Sequence, residues 1–439
     1  RTTAHLVNVL DDRFYNLIRY HGNKGARLAA QSHTSAIALI EEIIKTEQID
    51  CEFERVNGYL FTGAGRPENE LQRELEAMHE AGLGMAAMIG NAPITSFNTG
   101  TCILVQGQGK FQPMLYFSAL AQIIMKRGGK IFTSTKAMTI EGGAAPHVIT
   151  EDKKEIRCSS IVVASNSPVN DLYAVHTRQS AYRTYVITAE IPKAIVADSL
   201  YWDTGDPYHY IRLDKRNNDA YDLLTVGGED HKTGQEENSQ KRFKNLERWT
   251  RDRFPIGKVL YQWSGQVMEP NDGLAFIGHN PHDHKNVYII TGDSGNGMTH
   301  GTLGARLISD LIVGRPNPWE SLYDPSRITP MASGTGIKEF LNMSAQYLDW
   351  IKPGNSIDDL SPGKGMVIRQ GLKRIAVYKD HENNLHALDA TCSHLGCVVQ
   401  WNHSEKSWDC PCHGSRFSIE GKVINGPALA NLMESSDFK

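Results

Sequence analysis

The chain has 439 residues, 40% of them apolar, and a formal net charge of −4. That length is too great for one ordinary domain and supplies material for two or three cores. The balanced, interspersed charge argues against nucleic acid as the main partner, because phosphate binding asks for a basic face, and no apolar run approaches the roughly 20 residues of a membrane span.

The opening "RTTAHLV" has neither Met nor a signal peptide, so it looks like a fragment or processed product and says little about compartment. The expected location is cytoplasmic. Residues 1–328 alternate helical and strand patterns. "SAIALIEEIIK" carries Ile37, Ile40 and Ile44 at helical spacing, and "CEFERVNGYLF" follows as a strand. "ENELQRELEAM" repeats Leu71, Leu75 and Met78 on one helix face. "PMLYFSALAQIIMKRGG" is a helix with Pro113 near its start and Gly128 at its end. "KIFTSTKAMTI" and "SSIVVASNSP" are strands, and this alternation predicts a parallel sheet. "DPYHYIRL" is a strand whose period of two places Tyr208, Tyr210 and Arg212 on one face and His209 on the other. A pocket lining and ordinary sheet packing both account for them. "GGEDHKTG" is a turn, with His231 structural.

In "VYIITGDSGNGMTHGTLGARLISDLIVG" an apolar strand runs into Gly292, Gly295 and Gly297, and a helix then carries Leu303, Leu307 and Leu311. Strand, glycine turn and helix N-terminus form an anion site, though on spacing alone a structural turn fits equally well. The stretch resembles the C-terminal flavin-contacting segment of the D-amino-acid-oxidase-like FAD oxidoreductases, a group that includes glycine, sarcosine and glutamylputrescine oxidases. "RTTAH", "TKAMTI", "VVASNSP" and "WSGQVMEPNDGLAFIG" resemble other pieces of the family, in the same order. The resemblance implies noncovalent FAD, since Ser264 stands in the region where some relatives attach it through cysteine. It implies contacts from Arg1, Thr2, Thr3 and Ala4 to the pyrophosphate side and from Ala137 and Ala164 to the adenine and ribose side. Gly292, Gly295, Gly297, Met298 and Thr299 would lie at the flavin, with a helix from near Thr302 aimed at it. The family's opening G-x-G-x-x-G unit is absent, so an N-terminal dinucleotide unit is expected to precede this chain and its sheet to have an uncovered edge. The carboxylate-clamping arginine of amino-acid-oxidising relatives is replaced by Val267-Met268, and the lysine of sarcosine-oxidising relatives by Thr299. Tyr210 and Arg212 are the candidate catalytic residues, with Arg212 as a substitute clamp.

"TPMASGTG" is linker-like, and "IKEFLNMSAQYLDWI" (337–351) is an amphipathic connecting helix with Ile337, Leu341 and Leu348 on one face. The expected division is 1–328, a connecting segment 329–354, and 355–439. Four of the seven cysteines lie between 392 and 412; Cys51, Cys102 and Cys158 are read as buried small hydrophobes. "CSHLGC" (392–397) and "CPCHGS" (410–415) give Cys392-x-His394 and Cys410-x-x-His413. Tetrahedral zinc also takes two Cys and two His, but Cys-x-His is not the usual finger arm. Both boxes resemble the Rieske family, in which two thiolates hold one iron of a [2Fe–2S] cluster and two imidazoles the other. The resemblance implies iron ligands Cys392, Cys410, His394 and His413, and a Cys397–Cys412 disulfide between the cluster loops. Ser415 would donate a hydrogen bond to the cluster, while Phe417 replaces a usual tyrosine donor, which predicts a lowered potential. "GMVI", "KRIAVYK" and "NLHALDA" read as short antiparallel strands.

The expected fold is therefore an α/β (α+β) FAD-binding oxidoreductase fold with an antiparallel substrate sheet, followed by a small all-β Rieske domain. The expected function is oxidation of an amine or amino-acid-like molecule at FAD, with electrons passing through the cluster to an acceptor protein or quinone-type carrier, or in the reverse direction. The alternatives are an electron-transfer module on a non-catalytic FAD-like scaffold, and a zinc-stabilised binding protein.

Overall fold

The computed structural model describes residues 2–330 apart from 68, 171–174, 217–219, 237 and 282, then 342, 345–346 and 357–435. Arg1 and the expected helix positions Ile337, Leu341 and Leu348 lie outside the described residues.

The chain begins with β1 (His5–Leu6), α1 (Phe14–Glu47), β2 (Glu54–Phe61), α2 (Glu70–Glu80), β3 (Ala87–Ile89), β4 (Cys102–Lys110) and α3 (Pro113–Lys126). A small meander follows, β5 (Ala137–Glu141), β6 (His147–Thr150) and β7 (Glu155–Arg157), then β8 (Ile161–Val163). Next come β9 (Gln179–Ile191), β10 (Leu200–Asp203), β11 (His209–Asp214), β12 (Asp222–Lys232), α4 (Ser239–Arg251) and β13 (Val259–Pro270). The last elements of this part are β14 (Phe276–His279), β15 (Val287–Thr291), α5 (Gly297–Ile312) and α6 (Glu320–Tyr323).

The large sheet runs β1-β4-β2-β10-β11-β12-β9-β13, with β3 added on β4. Among the described residues its only parallel pair is β2–β10. The expected parallel sheet is thus confined to that pair and to β8–β15 in the small β14-β15-β8 sheet. The reason is connectivity: β10, β11 and β12 follow one another through links too short for a parallel crossover, so they pair antiparallel. The small sheet ends at β8, where Val162 is half-exposed.

α1 extends far beyond the 35–45 stretch visible in the pattern. It is kinked at Gly22 (φ +67), with Phe14 and Leu17 buried before the kink and Ala26, Ala29, Ala30 and Ile37 after it. Half of these six are alanines and the kink breaks the repeat, so hydrophobic periodicity did not announce the helix. One side of the large sheet packs on α1, α2 and α5, and its other side forms a second core with Phe243 and Leu246 of α4.

Four local expectations are corrected. The strand read over 130–140 starts only at Ala137. "GGEDHKTG" is not simply a turn: β12 continues to Lys232 with a register shift between Gly228 and His231, and His231 Nε2 bonds the Tyr185 hydroxyl at 2.8 Å. The helix expected near Thr302 begins at Gly297. Cys51 and Cys102 are buried as expected, but Cys158 is exposed.

The C-terminal part is all β. A meander of β16 (Lys364–Gln370), β17 (Lys373–Lys379) and β18 (Leu385–Asp389) meets the expected three strands. A second sheet pairs β19 (Gln400–Asn402), β20 (Ser407–Asp409), β21 (Arg416–Phe417) and β22 (Val423–Asn425) in order. Among the described residues no helix is long and apolar enough to cross a membrane.

Candidate active site and metal centre

Two cavities meet at the N-terminus of α5. One, of about 610 Å³, is lined by Ala164, Asn166, Thr291, Gly292 and Gly297 among others. The other, of about 300 Å³, is lined by Thr2, Thr3, Tyr210, Gly295, Gly297 and Met298 among others. Asp293 and Gly297 line both. The sequence-predicted residues are thus brought together, with exceptions. Ala4 is fully buried and lines neither cavity. Ala137 lies in β5 opposite Thr150, also away from both. Thr299 turns its hydroxyl inward to His33 Nδ1 at 2.8 Å. Among the described residues no side chain caps the first turn of α5, so its amides are placed as anion donors.

Arg212 is not placed as a clamp. Its guanidinium donates to the carbonyls of Thr3 at 2.8 Å and Phe111 at 3.0 Å and pairs with Asp214 at 2.6 Å. These bonds fix the Thr2–Thr3 loop and leave Arg212 outside both cavity linings. Tyr210 does reach the smaller cavity, sharing a hydrogen bond with Thr184 at 3.1 Å. Its ring crosses β12 at Gly227, where a Cβ would sit 2.1 Å from the ring. Any side chain at Gly227 would displace Tyr210. Ser264, expected near the flavin, faces away and accepts from Arg183 at 2.8 Å.

Sequence reasoning missed Asp11, Asp293, Trp202 and His5, which line the smaller cavity. They come from a loop, a glycine turn and two different strands, and only the fold assembles them. Burial pushes Asp11 up to about 7, with Asp12 and Asp293 adding to the rise against Arg13. Burial likewise raises Asp293 to about 6. Burial, then Arg212, holds the His5 imidazole down to about 3, and burial raises both Tyr208 and Tyr210. Near pH 7 the cavity therefore presents neutral tyrosines, a neutral imidazole and carboxylates poised close to protonation.

In the C-terminal part the two cysteine–histidine loops converge. Cys397 and Cys412 are joined by a disulfide with a Cα–Cα distance of 6.4 Å. Cys392 and Cys410 stay free and buried. The sulfurs of Cys397, Cys410 and Cys412 lie within 4.8 Å of one another, but the disulfide occupies two of them, so they do not form a metal set. The contact with Cys410 holds Cys392 down to about 7, and the same contact pushes Cys410 up, as for two thiols sharing a proton. The rings of His394 and His413 stand 4.9 Å apart. Burial, then the neighbouring imidazoles of His394 and His176, holds His413 down to about 3, in the neutral form that binds metal. Neither ring nitrogen of His413 has a hydrogen-bond partner among the described residues.

Residues 12–311 match the family described as FAD dependent oxidoreductase. The chain belongs to the FAD-dependent oxidoreductase family. Residues 350–435 match the Rieske [2Fe-2S] domain. A Rieske 2Fe-2S iron-sulfur protein of Bacillus subtilis (strain 168), YhfW, is 32% identical over 99% of this chain and 86% of its own length. The chloroplastic cytochrome b6-f complex iron-sulfur subunit of Triticum aestivum is 35% identical over 30% of this chain and 56% of its own. Glycine oxidase from Geobacillus kaustophilus shares the fold, with a TM-score of 0.57, 17% identity and coverage of 69% of this chain and 82% of that one.

The cofactors of this FAD-dependent oxidoreductase are FAD and a Rieske [2Fe–2S] cluster. The residues present fit both. Two free buried thiols beside two facing imidazoles, with the His413 nitrogens unmatched, suit a Cys₂His₂ iron pair. The uncapped first turn of α5, opening on two adjoining cavities, suits the electron-rich edge of a flavin.

Proposed function

We propose that this flavin- and iron–sulfur-dependent oxidoreductase oxidises an amine, in preference to an α-amino acid, and delivers the electrons through its Rieske centre to an external acceptor. When bound, FAD supplies a two-electron hydride acceptor and the cluster a one-electron carrier. Thr2, Thr3, Ala164, Gly292, Gly295, Gly297 and the first amides of α5 would hold FAD noncovalently. Cys392 and Cys410 would hold one iron, and His394 and His413 the other.

The lining of the 300 Å³ cavity carries the substrate reading. It combines the carboxylates of Asp11 and Asp293 with the rings of Phe117, Trp202, Tyr208 and Tyr210, and among the described residues no Arg or Lys joins them. An amino-acid carboxylate needs a cationic partner, whereas carboxylates and aromatic faces suit an ammonium group. Asp11, poised near neutrality by burial, takes the ammonium proton at its carboxylate. Tyr208 and Tyr210 orient the amine with neutral hydroxyls. Loss of a hydride from the carbon next to nitrogen and of a proton from the nitrogen leaves an imine, which water hydrolyses to a carbonyl compound and the free amine or ammonia. The two electrons leave singly to two equivalents of a one-electron acceptor protein or one of a quinone-type carrier.

Anaerobic mixing with primary and secondary amines should bleach the flavin and raise the EPR signal of the reduced cluster, with α-amino acids reacting more slowly. Complete flavin reduction by substrate with the cluster left oxidised would sink the electron route. A preference for α-amino acids would sink the amine reading.

A further inference from the structure

β9 and β13 form a wall that is occupied on both sides. Thr184, Gly265 and Val267 face the 300 Å³ cavity. On the other side the wall meets the cluster loops. Gln266 Nε2 donates to the Gly414 carbonyl at 3.0 Å, and Gln266 also lines the cavity. One side chain therefore spans from the cavity to the residue that follows His413. Gly414 has φ +76, and a Cβ there would lie 2.5 Å from Ala181 Cβ. Only glycine lets the loop seat so closely.

Beside this contact stands His176, in the short turn that leads into β9. Its ring centroid is 5.1 Å from that of His394 and 5.9 Å from that of His413. His176 is buried; its Nε2–H donates to the Pro168 carbonyl at 3.1 Å, which fixes the ring. Three residues on, Gln179 donates to the Thr291 hydroxyl at 3.1 Å, and Thr291 lines the 610 Å³ cavity.

From this seam we infer that His176 and Gln266 form an internal electron port. They are positioning residues that hold the histidine side of the cluster against the flavin wall of the same chain. The inference rests on the reading that both cofactors serve one reaction. Each passage moves one electron and no atoms, from reduced FAD to the oxidised cluster. A two-electron oxidation empties in two passages, an external one-electron acceptor clears the cluster between them, and protons leave to solvent.

The test uses light in place of an amine, so it stands apart from the substrate reading. The full-length holoprotein is photoreduced anaerobically at its flavin with EDTA as donor, and the cluster is followed by absorbance and low-temperature EPR. In the native chain the cluster should become reduced at a rate independent of protein concentration. His176→Ala and Gln266→Leu should each slow that phase about tenfold or more, as misplacement of a positioned pair does, with iron, flavin content and flavin photoreduction unchanged. His176→Phe keeps the ring contact and should restore most of the rate. A transfer rate in the native chain that scales with protein concentration overturns the inference without any variant. So does a His176→Ala, Gln266→Leu double variant that transfers at the native rate.

Discussion

Phe417 is fully buried on β21 opposite Trp408 and packs in one cluster with Cys392 and Cys410. Its ring offers no donor to a thiolate sulfur. Ser415 does have one: its hydroxyl accepts the Ala428 amide at 3.0 Å, which leaves the proton free to bond Cys392. A donor stabilises the reduced, more negative cluster, and a hydrogen bond to a charged group contributes about 1.5 kcal/mol, or about 60 mV for one electron. Phe417→Tyr should therefore raise the midpoint potential and Ser415→Ala lower it by similar amounts in a redox titration. Shifts of the same sign in both would remove the hydrogen-bond account. The candidate iron ligands were legible because each Cys–His pair sits within one short loop: spacing marked a metal site, and the resemblance to the Rieske family turned it into an iron site. His176 was not, because it lies more than two hundred residues from its neighbours His394 and His413 and only sheet packing brings it there. Arg212 shows the converse. Alternation named its strand face, yet the carbonyls of Thr3 and Phe111 and the Asp214 carboxylate decided where its guanidinium went.

Elements are joined around the site by a buried ion pair. Asp272, in the turn between β13 and β14, receives Arg327 Nε at 2.9 Å and Nη2 at 2.8 Å, plus the Thr329 hydroxyl at 2.7 Å. Its backbone carbonyl accepts from His21 of α1 at 2.8 Å. One turn thus ties α1, the cavity strands and the segment after α6. Burial alone would raise the Asp272 carboxyl, but the Arg327 charge and hydrogen bonds outweigh it and hold the group down to about 2. A folded value below the unfolded one contributes stability that is complete above about pH 4 and is lost as pH falls toward 2, on the order of 2 kcal/mol. Asp272→Asn should cost about 3 kcal/mol at pH 7, because Arg327 is left buried without its counter-charge, and should flatten the acid limb. Urea unfolding at pH 7 and pH 3 checks both, and an unchanged acid limb would refute the linkage. At this scale the helices with an unbroken apolar repeat were readable, whereas the first half of α1, interrupted at Gly22, and the sheet order depended on packing that no local pattern encodes.

Across the whole molecule, the two parts meet through charge as well as through the cluster loops. Arg183 of β9, almost wholly buried, lies 3.3 Å from Glu405 Oε1 in the C-terminal part, and the Ser264 hydroxyl donates to the same oxygen at 2.5 Å. Arg416 meets the other Glu405 oxygen at 3.4 Å and Asp409 at 3.0 Å. Ser239 at the start of α4 adds a bond to Ser404 at 2.7 Å. Glu405 thus bridges the two arginines across the seam, with Asp409 as a second carboxylate beside them. Burial lowers Arg183, and the Arg416 charge lowers it further. Glu405→Ala leaves Asp409 as the remaining carboxylate beside both guanidinium groups, a change that should cost about 3 kcal/mol of docking. The loss falls on the contact and not on either core, so calorimetry should separate one transition into two, with the C-terminal part melting first. Glu405→Gln keeps a hydrogen-bond acceptor for Ser264 without the charge and should fall between the two. Because the cluster loops seat on the same wall, the separated transition should appear together with slower electron arrival at the cluster after flavin photoreduction. A Glu405→Ala protein that melts in one unshifted transition would show that the glycine-tight contact at Gly414, and not the ion network, holds the two parts together.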